Sequence, residues 1–312
     1  MRCSRRGKTP GLLSYGSAGP PKLLSRGKGW YFRDETASKR DMRPDLLQQR
    51  RFELKYRVKE STAAAIRAHV RSHLVPDEYA AGQPDHAYAV HSLYLDSADL
   101  RLYHATLNGD RNRYKLRLRY YDDAANAPVF FEIKRREDHC IHKQRAAVRR
   151  SALHALLAGR WPGPADLFGS SPRQLLDLQE FSRLLQHVRA RPQARVIYRR
   201  EAWMSPWDNS ARVTFDRDVR SLPHRTEELT LEDRGAVRPF GEEVIFEIKY
   251  TDRMPAWAAE LVHVFELVQS GAAKYVEGLH SSGATRPPSP VAGHSATDSR
   301  QFWAADRASV PV

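Results

Sequence analysis

The chain has 312 residues, of which 41% are hydrophobic, and 51 Lys and Arg against 37 Asp and Glu give a formal net charge of +14. No stretch approaches the roughly 18 consecutive apolar residues of a membrane-spanning helix, and the arginine-rich N-terminus lacks the apolar core of a secretory signal. Two cysteines, Cys3 and Cys140, are too few for a disulfide framework and fit a reducing compartment, so we expect a cytoplasmic protein without an integral membrane segment.

Most of the excess positive charge lies in the first segment of the chain. Residues 1–50 contain 12 Lys or Arg and 4 Asp or Glu, whereas residues 51–280 contain 36 and 31. Met42 is an alternative start, because the patterned sequence begins directly after it. Composition and periodicity divide the chain into a disordered basic arm (1–47), a folded domain (48–281) and a disordered tail (282–312).

Alternation of apolar and polar residues dominates the first half of the folded domain and indicates strands. The strand RFELKYRV (51–58) is followed by a helix, STAAAIRAHVRSHL (61–74), for which Ser61 is the candidate N-cap. Further strands are predicted for YAVHSLYLDS (88–97), NRYKLRLRYY (112–121), VFFEIKRRE (129–137) and HKQRAAV (142–148), and the turn-rich DDAANAP joins the middle two as a hairpin.

The second half opens with a helix and continues with strands. The segment SPRQLLDLQEFSRLLQHV (171–188) has helical spacing, with Pro172 near its start. Strands are predicted for ARVIYRREAW (194–203), ARVTFDRDV (211–219) and EEVIFEIKY (242–250), and PAWAAELVHVFELV (255–268) closes the domain as a helix. We expect an α+β fold with about eight mostly sequential antiparallel strands.

Most of these strands carry charge on one face and apolar side chains on the other, because successive side chains of a strand point to opposite faces. One interpretation is a half-buried sheet with a wet, charged face. The other is a closed antiparallel β-barrel with helices packed outside and the charged faces lining a tunnel. The abundance of Arg and the repetition of the pattern favour the tunnel. The charged sets are Glu53/Lys55/Arg57, Lys115/Arg117/Arg119, Glu132/Lys134/Arg136, Lys143/Arg145, Arg212/Thr214/Asp216 and Glu243/Glu247/Lys249.

A tunnel of many cations and few carboxylates is strongly repulsive when it is empty and dry. We therefore expect it to hold a polyanion together with water and metal. Arg binds phosphate oxygens through its planar fork and Lys supplies a point charge, so a phosphate chain is the expected occupant.

The order of the segments resembles the VTC domain family of polyphosphate polymerases, which belongs to the wider triphosphate tunnel, or CYTH-like, group. The resemblance covers nearly all of 51–280 and is carried by ELKY, SLYLDS, YKLRLRYY, FFEIKRR, HKQR, VIYRREAW, RVTFDRDV, FEIKY and AAKYVEGL, in that order. It implies a metal-dependent phosphotransferase that uses ATP to extend inorganic polyphosphate, with Mn²⁺ or Mg²⁺ as cofactor. Nucleic acid is not expected as a partner.

The resemblance also implies a set of site residues. Glu247 would hold the divalent metal. Strand parity counted from Arg195 favours Arg199 as the inward residue, whereas the family's Tyr-x-Arg pattern selects Arg200, and a β-bulge would reconcile the two. We predict Arg200. The implied catalytic cations are Lys55, Arg117, Arg119, Lys134, Arg200 and Arg212, and the implied phosphate-binding residues are Lys143, Lys249 and Lys274.

The first strand departs from the pattern of the hydrolases and cyclases of the wider group, which is Glu-x-Glu-x-Lys. Arg51 stands in place of the first Glu, so only Glu53 and Lys55 remain. This departure weakens a triphosphatase or adenylyl cyclase function and favours the polymerase. A non-catalytic binder of polyphosphate or nucleic acid is a further alternative.

Two segments of the chain share the sequence Phe-Glu-Ile-Lys and contain Glu132 and Glu247. Parity points both carboxylates inward. We predict that Glu132 orients neighbouring cations of the 115–119 strand as a salt-bridge partner, whereas Glu247 is the metal position. Trp203, Trp257 and the tyrosines are interpreted as packing residues, with base stacking at a tunnel mouth as the alternative.

Overall fold

The computed structural model describes residues 51–285 except residues 84, 139 and 209, and of Arg51 it describes the backbone only. The predicted basic arm and residues 286–312 of the predicted tail lie outside the described residues. Every predicted strand and helix is present within a few residues of its predicted bounds. None of the helices in the described part of the chain is long and apolar enough to cross a membrane.

The described elements alternate between strands and short helices. Ser61 lies within the first helix rather than at its N-cap, which is Lys59. The strands are β1 (Arg51–Val58), β2 (Val75–Pro76), β3 (Ala87–Asp96), β4 (Arg113–Tyr120), β5 (Val129–Glu137), β6 (Cys140–Val148), β7 (Arg191–Met204), β8 (Ala211–Pro223) and β9 (Val244–Thr251). The α-helices are α1 (Glu60–Val70), α2 (Glu78–Ala81), α3 (Arg101–Leu107), α4 (Leu153–Leu157), α5 (Pro172–His187), α6 (Ala256–Val264) and α7 (Lys274–Ser281).

All nine strands belong to one antiparallel sheet, so the α+β class is confirmed. Eight strands follow the order β1-β9-β8-β7-β3-β4-β5-β6, and the short β2 pairs with β7. The expectation of a closed barrel is wrong, because β1 and β6 stand at opposite ends of this path and do not pair with each other. They nevertheless come into contact, and Lys134 of β5 bonds the Glu53 carboxylate of β1 at 2.9–3.0 Å.

The sheet stays open because other segments occupy the hydrogen-bonding edges of both end strands. On β1, the amide of Ser270 donates to the carbonyl of Lys55 at 2.9 Å, next to a bridge between Tyr56 and Gln269. On β6, the amide of Phe168 donates to the carbonyl of Ala147 at 2.8 Å. Edge strands are commonly covered in this way, and the backbone groups covered here are not available for pairing between β1 and β6.

The outward face of the sheet is apolar and is covered by helices. Phe131 packs against Phe181 of α5, with ring centroids 4.9 Å apart. On the other half of the sheet, Phe246 belongs to the same buried cluster as Ile66 of α1 and Leu261 of α6. Each buried aromatic or aliphatic side chain of this kind stabilises the fold by about 1.5–3 kcal/mol. Burial of this face leaves the opposite, charged face pointing inward.

Helix α7 is an exception to the expectation that helices pack outside. Its Tyr275 stacks on Tyr94 of β3 at 4.8 Å, and Tyr94 lies on the inward face. The fully buried Asp96 accepts a hydrogen bond from the Tyr275 hydroxyl at 2.8 Å and also from the amides of Leu102 and Tyr103 at the start of α3. One carboxylate thus caps α3 and anchors α7. As a result Lys274, the first residue of α7, is carried to the inward face of the sheet.

The contact between α7 and β8 generates a stability prediction. A Cβ added at Gly278 would lie 2.2 Å from the Ser221 Oγ and 2.6 Å from its Cβ. We expect Gly278→Ala to lower the free energy of unfolding by about 1–3 kcal/mol through overpacking, as measured by urea denaturation. Adding Ser221→Gly should restore part of the loss. Gly82→Ala is the matched control, because a Cβ there meets nothing within 4 Å. Equal effects of the two glycine substitutions would contradict the assigned contact.

Candidate functional site

The inward face of the sheet encloses a cavity of about 470 Å³. All ten predicted site residues line it, and they come from seven strands and α7. Their common placement follows from strand parity, because each lies on the face opposite the buried apolar residues of its own strand. The cations that line the cavity are Lys55, Lys115, Arg117, Arg119, Lys134, Lys143, Arg145, Arg200, Arg212, Lys249 and Lys274.

Cross-strand register places a cation opposite a carboxylate at five points of the wall, three of which are the following. Lys55 of β1 lies opposite Glu247 of β9, and Arg117 of β4 lies opposite Glu132 of β5. Arg200 of β7 lies opposite Asp216 of β8 and bonds both of its carboxylate oxygens, at 2.7 and 2.8 Å. Directly opposed residues in an antiparallel pair are close enough for such ion pairs. The sheet register therefore builds the charge pairing of the cavity.

Glu132 is the centre of one group of charges, which we call the Glu132 cluster. Its carboxylate is fully buried, 2.7 Å from Arg117 and 2.8 Å from the Lys143 ammonium, with Arg145 at 3.4 Å and Arg119 at 3.9 Å. Burial would raise the pKa of Glu132, but the four cations hold it well below its usual range. The predicted contacts with Arg117 and Arg119 are present, the one expected with Lys115 of the same strand is not, and those with Lys143 and Arg145 are additional. A charged Glu132 thus fixes the directions of four cationic groups.

A second group, the Glu247 cluster, links three carboxylates through lysines. Lys249 is 2.7 Å from Glu247, and Lys274 is 3.4 Å from Glu247 and 2.7 Å from Asp216. Lys55 bridges Glu247 at 3.7 Å and Glu53 at 3.0 Å. Burial would raise the pKa of Glu247, but Lys249, Lys274 and Lys55 lower it well below its usual range.

These pairings correct the expectation that the empty tunnel is dominated by repulsion. Five buried or nearly buried carboxylates lie among the cations and offset a large part of their charge, and a surplus of positive charge remains. One cation is different: in the described part of the chain, Lys115 has no ion pair or hydrogen bond. Burial lowers the pKa of Lys115 well below its usual value, as do the nearby charges of Lys55 and Lys134. The carboxylates are Glu53, Asp77, Glu132, Asp216 and Glu247.

The structure places Arg200, and not Arg199, on the cavity wall. Arg199 is exposed and pairs with Asp85, and Arg195 is fully buried with its guanidinium on the Thr230 carbonyl at 2.9 Å. Arg195 and Arg199 do share a face, as parity requires, but that face points outward. β7 keeps its alternation from Arg195 to Arg200, because its pairing with β3 has no shift there and the shift against β8, between Ile197 and Arg199, places the extra residue in β8. Counting alternate residues from Arg195 selects the wrong arginine because Arg195 itself faces outward.

Sequence reasoning missed several tyrosines and one aspartate. The hydroxyls of Tyr94 and Tyr198 accept from Arg117 at 3.2 Å and from Arg119 at 2.9 Å. Arg212 is held by the nearly buried Asp77 at 2.7 Å. Tyr94 alternates with Ser92 and Asp96 along one face of β3, and this pattern could have predicted that it points inward. Asp77 lies in a short loop, where no alternation indicates a direction.

The donor set fits a divalent metal that enters with its phosphate ligand. Within residues 51–285, leaving aside the three positions not described, no group of three or more Asp, Glu, His or Cys side chains gathers to form a complete metal cage. Mg²⁺ typically binds through one or two carboxylates, several waters and substrate phosphates. Glu247 offers one carboxylate on the cavity wall, so it would serve such a metal and not a preformed cage.

A second cavity, of about 540 Å³, shares part of its wall with the first. The common residues are Glu53, Lys55, Lys115, Lys134, Ile141, Ala272 and Ala273. The second cavity adds Arg113, Arg135 and Arg136 together with Gln269 and Ser270. The two cavities therefore adjoin, and the second extends the cationic lining past Arg113 at the start of β4, whereas Tyr121 of the first follows the end of that strand.

Comparison with known proteins gives two findings. The VTC domain family matches residues 50–282. Among solved structures, the chain is similar to a Bacillus halodurans protein described as a "putative adenylate cyclase", with a TM-score of 0.40 and 13% sequence identity, over 72% of this chain and 94% of that one.

The unpaired Lys115 generates a prediction with a defined pH dependence. A lysine whose folded-state pKa is below its unfolded value destabilises the folded state at pH values below the folded pKa. The penalty disappears as the pH rises past the unfolded value near 10.4. Lys115→Met should therefore raise the melting temperature at pH 7, and the gain should shrink toward pH 10.

Lys55→Met is the contrasting control. Burial alone would lower the pKa of Lys55, but Glu53 and Glu247 raise it above its usual value, so its charge stabilises the fold. We expect a lower melting temperature for this variant at pH 7. Thermal unfolding of both proteins across the pH range is the measurement, and a Lys115→Met protein that melts below the wild type at pH 7 would contradict the assignment.

Proposed function

This chain belongs to the VTC domain family, and on that premise we propose that it is an ATP-dependent polyphosphate polymerase. It would transfer the γ-phosphoryl group of ATP to the end of a growing polyphosphate chain within the cavity. The observation that carries the proposal is the cavity wall itself, on which eleven cations face one space and retain a surplus of positive charge after pairing. A chain of phosphates supplies the matching negative charge along its whole length.

The arginines of the Glu132 cluster are suited to holding a phosphoryl group. Arg117 is fixed by Glu132 on one side and by the Tyr94 hydroxyl on the other, and Arg119 is fixed by Tyr198. An arginine held in this way can direct its remaining N–H groups at phosphate oxygens in two-point contacts. Because the groups are already oriented, little reorganisation is needed when charge develops during transfer.

The transfer is a single displacement at phosphorus. An oxygen of the terminal phosphate of the chain attacks the γ-phosphorus, and the bond from that phosphorus to the β–γ bridging oxygen breaks, so that its electron pair leaves with ADP. The protein is not required to act as a nucleophile, and the described side chains that line the first cavity include no Ser, Cys or His. Lys55, Lys134, Arg200 and Lys249 would stabilise charge on the transferred group and on the leaving ADP.

A divalent cation, Mn²⁺ or Mg²⁺, would bind at Glu247. Such an ion supplies positive charge to phosphate oxygens and lowers the barrier to phosphoryl transfer. Lys249 and Lys274 now occupy the two oxygens of Glu247, at 2.7 and 3.4 Å. When phosphates enter, these ammonium groups can turn to them and release the carboxylate.

The activity is tested by incubating the purified full chain with ATP and either Mn²⁺ or Mg²⁺ and separating the products on a polyphosphate-staining gel. We expect a ladder of chain lengths together with ADP. Release of free phosphate or a cyclic nucleotide without a ladder would instead show a hydrolase or cyclase. If ATP is unchanged with both metals, the protein is a non-catalytic binder. Either result overturns the polymerase assignment.

The two glutamates of the Phe-Glu-Ile-Lys segments should respond differently to loss of charge. Glu247→Gln should lower metal-dependent synthesis by about 10²–10³-fold. Metal-free binding of tripolyphosphate should persist or tighten, because one repulsive carboxylate is gone. The measurements are the initial rate of synthesis against Mn²⁺ concentration and isothermal titration with tripolyphosphate.

Glu132→Gln is the matched control, since its carboxylate holds four cations. We expect weaker tripolyphosphate binding both with and without metal. The folded state should also lose about 3–5 kcal/mol of stability, because removal of one partner leaves buried charges unpaired. Full activity of Glu247→Gln at low Mn²⁺ would show that the metal assignment is wrong.

A further inference from the structure

One opening of the cavity is aromatic. Tyr79 of α2, Tyr88 of β3 and Tyr121, directly after β4, all line the first cavity and are absent from the lining of the second. The second cavity instead adds Arg113, Arg135 and Arg136. The two sides of the site therefore offer different chemistry, one to a planar apolar group and the other to anions.

The rings of Tyr79 and Tyr121 are arranged as a stacking platform. They are nearly parallel, with an interplanar angle of 6°, and their centroids are 6.4 Å apart. The other stacked ring pairs in the described part of the chain have centroids 4.8–5.3 Å apart. The Tyr79–Tyr121 pair is thus the most loosely spaced of them. Tyr79 is 37% exposed, so a ligand can reach its ring.

Neighbouring rings hold Tyr121 in place. Tyr88 meets it edge-on at 6.1 Å, and Phe130 of β5 meets it edge-on at 5.9 Å. Edge-to-face contacts of this kind orient rings without covering both faces. Tyr121 is therefore positioned in advance of any ligand, while Tyr79, on the short helix α2, is the accessible member of the pair.

The platform lies beside the phosphate-binding cations. Tyr79, Tyr121 and Arg145 line the same cavity. Arg145 also lies over the Phe130 ring, 3.6 Å from its centroid, and belongs to the Glu132 cluster. A molecule with a flat ring at one end and phosphates at the other could contact Tyr79 and the Glu132 cluster at the same time.

We propose that Tyr79 and Tyr121 bind the nucleobase of the nucleoside triphosphate donor by stacking, with the phosphates extending past Arg145 into the Glu132 cluster. This inference rests on the proposed function, since it assigns the nucleoside end of the donor. Stacking tolerates any base, because every base has a π-face. The platform therefore distinguishes nucleoside triphosphates from inorganic tripolyphosphate, and it does not select one purine by hydrogen bonding.

A second aromatic pair at the same cavity, Phe52 and Tyr250, provides a matched control. These residues face each other across β1 and β9, with centroids 5.3 Å apart. Tyr250 packs against the buried cluster beneath α1 and α6, and Phe52 has the parity of the outward-facing Leu54 and Tyr56. The pair is explained by packing of the sheet.

The test compares ATP with tripolyphosphate by isothermal titration of the full chain without metal, so that no turnover occurs. We expect Tyr79→Ala to weaken ATP binding about tenfold, as expected for loss of one stacked base, and to leave tripolyphosphate binding unchanged. Tyr79→Phe should keep wild-type affinity for both ligands. Phe52→Ala should not discriminate between them. Melting temperatures establish that each variant is folded.

A spectroscopic readout separates stacking from a merely structural role of Tyr79. The fluorescence of 2-aminopurine riboside triphosphate should be quenched on binding to the wild type and to Tyr79→Phe, and quenched much less on binding to Tyr79→Ala. Equal loss of ATP and tripolyphosphate affinity in Tyr79→Ala would overturn the platform, as would ATP-selective loss in Phe52→Ala.

The outcome is independent of the polymerase assay. ATP-selective loss in a protein that makes no polyphosphate ladder would support the platform and refute the proposed function. If the wild type makes a polyphosphate ladder and Tyr79→Ala binds ATP with normal affinity, the proposed function is supported and the platform is refuted.

Discussion

The structure depends on holding about a dozen charged side chains on one face of a sheet, although some like charges lie opposite each other, as Lys134 does to Lys115 and Lys143. It does so by placing a carboxylate opposite a cation across neighbouring strands, as at Arg117 and Glu132 or at Arg200 and Asp216. Buried ion pairs of this kind contribute little net stability, because desolvation offsets much of their attraction. Their contribution here is to orientation: they fix where each cation points before a ligand arrives.

This arrangement makes the apolar face equally important. The charged part of the inward face contributes little net stability, so much of the free energy that holds the domain together comes from apolar packing. One apolar cluster lies between α7 and the inward face, and the other two lie on the outward face. There α1 and α6 cover one half of the sheet and α5 covers the other. The edges of β1 and β6 are taken by segments 269–270 and 166–168, so the wall is completed by side chains such as Lys134 and Glu53 and not by backbone pairing.

Helix α7 and the aromatic residues Tyr79 and Tyr121 make the two ends of the cavity chemically different. Lys274 enters the Glu247 cluster only because Asp96, far away in sequence, anchors Tyr275. Tyr79 and Tyr121 stand at one side of the cavity, and the arginines of the second cavity stand at the other. A molecule that is aromatic at one end and anionic along the rest matches this polarity.

The sequence determined the strands, the outer helices and the inward direction of nearly every charged residue, because a period of two is visible along each strand without knowledge of its neighbours. It could not tell that Arg195 faces outward, that the sheet stays open, or that α7 lies inside, since each depends on contacts with distant segments. The two Phe-Glu-Ile-Lys segments show why. Glu132 lies between β4 and β6 and meets three arginines and Lys143, whereas Glu247 lies between β1 and β8 and meets three lysines. Identical local sequences have different electrostatic surroundings because their neighbours are set by the order of strands in the sheet, which the local sequence does not determine.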